Sequence, residues 1–156
     1  AGVSRQANSV TLKVTGSLGG WWAGGARQET WRLHLSPRLP LELTAKTGAA
    51  TATMDLSQLR VTRLRLEVGA SNISLTLPAS AGTTEATIKA GAANLNIIVP
   101  QGVAARVRAQ VGLSSFSIDQ ARFPKSGEYF VSPGYERATN RVDIRLESGL
   151  ASVDIR

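Results

Sequence analysis

Cysteine is absent from this 156-residue chain, histidine occurs once as His34, and methionine occurs once as Met54. Disulfides and thiol chemistry are thereby excluded, and a zinc set lacks both its thiolates and a second imidazole. Aromatics are scarce, with three Trp, two Tyr and three Phe, so the core must be built from small aliphatics. No apolar run approaches the roughly 20 residues that a membrane helix requires, and no secretory leader is recognisable at the start. The chain opens on Ala1 without a methionine, which fits a mature or excised domain whose parent carries any membrane segments.

What is abundant is glycine, fifteen in all, together with Val, Ile, Thr and Leu in alternating stretches. Such composition favours strands joined by tight corners. The net charge is +7, from 18 Lys and Arg against 11 Asp and Glu. The cations are spread along the chain. The densest spots, Arg63 with Arg65 and Arg106 with Arg108, are not a basic arm, so no nucleic-acid partner is expected.

The decisive feature is a period. Gly48, Gly69, Gly91 and Gly112 are spaced by 21, 22 and 21 residues, and Gly149 follows after 37. The last interval is one period plus an insertion of about 16 residues. Each glycine follows an alternating segment, as in Arg63-Leu64-Arg65-Leu66-Glu67-Val68. Four and six residues beyond each glycine stand the apolar pairs Ala52/Met54, Ile73/Leu75, Leu95/Ile97, Phe116/Ile118 and Val153/Ile155. Period-two alternation on both sides, with a change of parity between, describes two half-buried strands meeting at a corner. Glycine there supplies either a positive φ or room for two backbones to pass closely. The fold expected is all-β: a right-handed single-stranded β-helix-like solenoid with about five Gly-cornered coils of 21–22 residues.

Stacked coils bring residues one period apart together. Six positions before each glycine stand Glu42, Arg63, Glu85, Arg106 and Asp143, a column that alternates in sign if the coils stack in sequence order. Two positions before stand Lys46, Glu67, Lys89, Gln110 and Glu147. Beyond the corner, Thr51, Asn72, Asn94, Ser115 and Ser152 form one polar column, and Thr53, Ser74, Asn96, Ser117 and Asp154 the next. This face reads either as a solubilising ladder of short side chains or as a docking face for a partner or glycan.

The whole chain reads as a single domain, 1–156. Residues 1–40 supply N-terminal strands and a cap, including alternating segments at Val10–Val14 and Trp31–Leu35. Between those segments Trp21 and Trp22 sit among glycines, as part of the cap or as an aromatic contact loop. Regular coils occupy 41–123, an insertion 124–139 and a final coil 140–156. The insertion holds Tyr129, Phe130 and Tyr135, either packed on the last coils or offered to a partner.

Chemistry is hard to find. No nucleophile-elbow motif surrounds a serine, and the glycines about Trp21 and Trp22 lack the Gly-Lys-Ser/Thr ending of a phosphate loop. The carboxylates stand singly beside cations, and Glu42, Glu85 and Asp143 are expected at least two coils apart with an Arg between. No catalytic, cofactor or metal residue is assigned, and an enzyme is not expected.

The segments Leu41-Glu42-Leu43 to Gly48, Leu66-Glu67-Val68-Gly69-Ala70-Ser71-Asn72 to Leu77-Pro78, and Ala90-Gly91-Ala92-Ala93-Asn94 to Val99-Pro100 resemble the toast-rack domains of bacterial envelope proteins, as does Asn140-Arg141-Val142-Asp143-Ile144 to Val153. The likeness runs over residues 38–156 and is weaker over 1–37. It implies a β-helix-like module attached to membrane-spanning segments outside this chain, akin to LiaF-like proteins of the antibiotic response and to adhesin-like domains. The resulting expectation is a non-catalytic scaffold of the cell envelope working through protein contacts, in stress sensing or surface assembly. Trp21, Trp22, Tyr129, Phe130 and Tyr135 are the expected contacts. The alternative is a glycan- or surface-binding adhesin-like module using the Thr/Asn/Ser columns. A degenerate polysaccharide-acting β-helix would show carboxylates converging in a cleft.

Overall fold

The structure, a computed structural model, describes residues 2–6, 9–14, 35–113 and 115–156. These form one open, mostly parallel sheet. Its strands are β1 (Gly2–Gln6), β2 (Ser9–Val14), β3 (Pro40–Asp55), β4 (Arg60–Thr76), β5 (Thr83–Ile98), β6 (Ala104–Val111), β7 (Ser115–Ile118), β8 (Lys125–Ser126), β9 (Tyr129–Val131) and β10 (Arg141–Ile155). A single 3-10 turn spans Tyr135–Arg137. The expected strand Trp31–Leu35 and the Trp21/Trp22 loop lie outside the described residues, except for Leu35, which is in no strand.

Four strands are long, 15 to 17 residues, and each has two arms about its glycine. In β4 the buried residues Leu64, Leu66 and Val68 give way to Ser71, Ile73 and Leu75, so the parity shifts at Gly69-Ala70. Both arms nevertheless bury their side chains in one cluster, which requires the strand to turn a corner there. β5 and β10 repeat the device with Ile88/Leu95 and Leu146/Val153. Each fully buried Leu, Ile or Val contributes about 1.5–3 kcal/mol by leaving water.

At Gly69, and less severely at Gly112, the corner needs glycine for closeness. The positive-φ glycines are Gly82, Gly102, Gly127 and Gly134, in the connections. A Cβ on Gly69 would drive into the carbonyl oxygen of Gly48, and one on Gly112 would lie 3.0 Å from that of Gly149. At Gly91 and Gly149 the nearest such oxygens are at 3.5 and 3.4 Å, and Gly48, on the outermost long strand, meets nothing within 4 Å among the described residues.

Register follows the period. Glu42 pairs with Arg63 and Arg63 with Glu85 across β3, β4 and β5. Stacking in sequence order, however, fails at the end. The sheet runs β3-β4-β5-β10-β6, so the final strand lies between β5 and β6. The expected alternation at every step of the first column is therefore corrected, because Asp143 pairs with Glu85 on one side and Arg106 on the other. The physical reason is the quality of the strands. β10 is continuous and buries Val142, Ile144, Leu146, Val153 and Ile155 almost completely, whereas the β6–β7 pair is interrupted and leaves Ala109, Val111, Phe116 and Ile118 only partly buried. The better apolar strand takes the position with two neighbours, and the broken one becomes the edge.

The insertion folds back on that edge. β9 pairs antiparallel with β6 through Val107↔Phe130. Ser132 and Ala105 exchange bonds, the amide of Ala105 donating to Ser132 Oγ at 2.9 Å and the amide of Ser132 to the Ala105 carbonyl at 2.8 Å. Phe123 is the bulkiest of the fully buried side chains, beneath Arg122, which donates to the carbonyls of Val99 and Pro100.

Candidate functional surfaces

The two arms present different outer faces. On the second arms a groove of about 730 Å³ crosses all five strands, from Thr51 through Asn72 and Asn94 to Ser152 and Ser115. Its remaining lining is Ala70, Ser71, Ala92, Ala93, Ala151, Leu113 and Leu150. No lining residue is charged. Only short side chains at these outward positions leave a depression, because a long one would fill it. Asn94 Nδ2 donates to Asn72 Oδ1 at 2.8 Å, one rung of the expected ladder. Leu113 and Leu150 stand at one end, 86% and 61% exposed.

Of the expected face, the groove gathers Thr51, Asn72, Asn94 and Ser115; Thr53, Ser74, Asn96 and Ser117 continue the same register alongside it without lining it. Column reasoning overlooked the groove residues one place past four of the glycines, Ala70, Ala92, Leu150 and Leu113. Their signal was visible in the sequence, since that position repeats as small or apolar while its neighbours two and four further on are polar.

Of the aromatics expected as partner contacts, three lie in the described insertion. Tyr135 is buried, with only 6% of it exposed, and the Arg106 guanidinium lies 5.0 Å from its ring. Burial pushes its hydroxyl pKa above the ordinary value of 10.0. Phe130 is half-buried against Phe116, with ring centres 5.6 Å apart. Tyr129 is half-buried, with Arg106 and Arg108 over its ring at 5.9 and 5.8 Å. These rings pin the insertion to the edge strand. Trp21 and Trp22 lie outside the described residues.

The first-arm face is charged, in three columns. The outer two answer themselves: Lys46 meets Glu67 at 2.7 Å, Lys89 meets Glu147 at 2.8 Å, and Arg63 meets Glu42 at 2.9 Å and Glu85 at 3.7 Å. The hydrogen bond from Glu147 raises the Lys89 pKa. Arg106 donates to Asp143 Oδ2 from Nε at 2.8 Å and from Nη2 at 2.5 Å, which raises its own pKa. The column between reads Thr44, Arg65, Thr87, Arg145 and Arg108 in spatial order, without an acid.

Glu85 and Asp143, expected to be separated by an Arg, are register neighbours instead, because β10 has moved between β5 and β6. They lie on an open face, each held by its own cation, Arg63 for Glu85 and Arg106 for Asp143. Among the described residues no three His, Cys, Asp or Glu assemble into a cation site, and no helix is long and apolar enough to cross a membrane.

The architecture defines a class first: an all-β domain of corner-bent parallel strands stacked at a 21–22-residue period. The particular family follows from comparison. The profile of the N-terminal domain of toast_rack, DUF2154, matches residues 2–98, more than half of the sequence, and the chain belongs to that family. The match includes the first 37 residues, where the resemblance by motif is weakest. A similar solved structure is that of a candidate cell-adhesion protein from Clostridium sporogenes ATCC 15579, with a TM-score of 0.63 and 18% identity. The similarity covers 84% of this chain and 66% of that one, so the chain spans just under two thirds of its relative, and it establishes the fold alone. No curated protein matches the sequence.

Proposed function

We propose that this domain is a non-catalytic interaction module of a bacterial envelope protein, which displays the second-arm groove to a protein partner. The observation that carries the reading is the groove itself, which spans five stacked strands and is lined wholly by Ala, Leu, Ser, Thr and Asn. Such a lining offers shape, apolar contact and hydrogen bonds, whereas acid–base catalysis calls for positioned titratable groups. The exposed pair Leu113 and Leu150 favours a protein surface, as apolar side chains rimmed by polar ones mark such contacts. Family membership and the likeness to a candidate adhesion protein support the envelope setting. Membrane attachment through segments outside this chain, and a part in envelope-stress sensing, belong to the same reading.

In this proposal residues 1–156 act as one domain, with 1–40 as cap, 41–123 as coils, 124–139 as insertion and 140–156 as final coil. The bent strands form a right-handed β-helix-like solenoid of about five coils whose stiffness keeps the groove in register. The alternative partner is a glycan, favoured by the Asn72–Asn94 amide rung. The test is retention of the purified domain on isolated envelope fractions. Asn72→Arg with Asn94→Arg fills the groove and is expected to lower retention by about tenfold. Unchanged retention would overturn the groove. Loss of binding after protease treatment of the fractions identifies a protein partner, and retention after protease with hits on a glycan array identifies a glycan.

A further inference from the structure

We infer that the middle column of the first-arm face, Arg65, Thr87, Arg145 and Arg108, binds a linear anionic polysaccharide laid across the strands. This surface is separate from the groove and does not depend on the reading given to it.

The electrostatics of the face single this column out. Its flanking columns spend their acids on their own cations, through Lys46–Glu67, Lys89–Glu147, Arg63–Glu42 and Arg106–Asp143. The middle column contains three arginines and no acid. Among the described residues Arg65 has no ion pair. Among the described residues Arg145 reaches only Asp143 Oδ1, at 3.8 Å, a carboxylate whose other oxygen takes two bonds from Arg106. Arg108 is met by Glu128 of the insertion at 2.8 Å, a carboxylate whose side chain is 73% exposed. Arg145 and Arg108 are also direct register partners on adjacent strands, and like charges so placed destabilise a sheet. An anion lying over them removes that repulsion.

The geometry selects the shape of the ligand. Neighbouring strands are about 4.8 Å apart, so Arg65, the Thr87 hydroxyl, Arg145 and Arg108 succeed one another over roughly 14 Å along the stacking direction. A guanidinium fork matches carboxylate, sulfate or phosphate oxygens. A chain one column wide meets the arginines and slips between the acids. A planar anionic membrane or a nucleic-acid duplex is broader, and would press against Glu42 and Glu85 on one side and Glu67 and Glu147 on the other. Every member stands four residues before a period glycine, and the entry of β10 between β5 and β6 sets Arg145 next to Thr87, with Arg108 beyond it.

The test uses heparin, a linear sulfated and carboxylated polysaccharide, titrated into the whole domain by calorimetry at moderate salt. Arg65→Gln with Arg145→Gln is expected to weaken binding by about tenfold or more. Lys46→Gln with Lys89→Gln removes the same net charge from the self-paired columns and is expected to change it by no more than about threefold. Equal losses in the two double variants would show that net charge alone attracts heparin, and would overturn the proposal. Arg65→Gln alone, which breaks no described ion pair and so leaves folding intact, should still weaken binding by about threefold. No loss there counts against the column. Tighter binding of duplex DNA or of anionic phospholipid vesicles than of heparin, with the same dependence on Arg65 and Arg145, would also overturn it by assigning another class of occupant.

Discussion

The two outer faces of this protein come from the same strands in the same register, yet they carry opposite chemistry. On the first arms, long charged side chains stand over one another, neutralising in pairs in the flanking columns, so the surface is filled. On the second arms the outward residues are short and uncharged, and the same stacking leaves a trough. A repeated backbone thus fixes where side chains line up, while their length and charge decide whether the line becomes a lattice or a groove. Between the faces runs the glycine corner, where neighbouring backbones come closest.

The largest expected effect comes from closing that corner. Gly69→Ala sets a methyl against the Gly48 carbonyl and should cost about 2 kcal/mol or more in urea unfolding, through overpacking against backbone that cannot move aside. Gly48→Ala, with nothing within 4 Å, should stay within about 0.5 kcal/mol. Equal losses at the two positions would mean that the corner needs conformational freedom, and that closeness of backbones is not the cause.

A smaller difference is expected within the charged face itself. Arg106→Ala strips Asp143, whose side chain is 13% exposed, of two charge-assisted bonds and should cost about 1–3 kcal/mol. Lys46→Ala removes a half-exposed pair with Glu67 and should cost no more than about 0.5 kcal/mol. Denaturant midpoints of the two variants separate a part-buried pair that ties β6 to β10 from one that only decorates the sheet.

The smallest effect appears only in alkali. Tyr135 is buried, and its folded pKa lies above the ordinary 10.0. The unfolded chain therefore releases this proton first as pH rises. The stability tied to Tyr135 is complete below pH 10.0 and is lost as pH climbs through the folded value. Tyr135→Phe should flatten the fall in unfolding free energy above pH 10.0 and leave the neutral-pH slope unchanged. An unchanged alkaline slope would place that ring in water.

Much of this arrangement was legible in the chain. Glycines at 21–22 residues, with apolar pairs four and six places on, placed the arms, the corner and the register of Glu42, Arg63 and Glu85. The Thr/Asn/Ser face was legible for the same reason, since period-two alternation assigns each residue a side. The groove within it went unseen, because depth depends on the neighbours of a position as well as on its own side chain. Tyr129, Phe130 and Tyr135 looked like contacts because aromatics are scarce here. The stacking of Tyr129 and Tyr135 on Arg106 and Arg108, and of Phe130 on Phe116, arises from the insertion folding onto the β6 edge, which no local spacing encodes.

By itself the sequence determined the strands, their corners and which residues lie one turn apart, because alternation and periodicity are local properties of the chain. Only the tertiary structure decided the order of the last strands. β10 and β6 compete for the hydrogen-bonding edge of β5, and β10, which buries its apolar residues more fully, takes it and leaves its own far edge to β6. That outcome set Asp143 beside Glu85 and Arg145 beside Thr87, contacts that stacking in sequence order would not make.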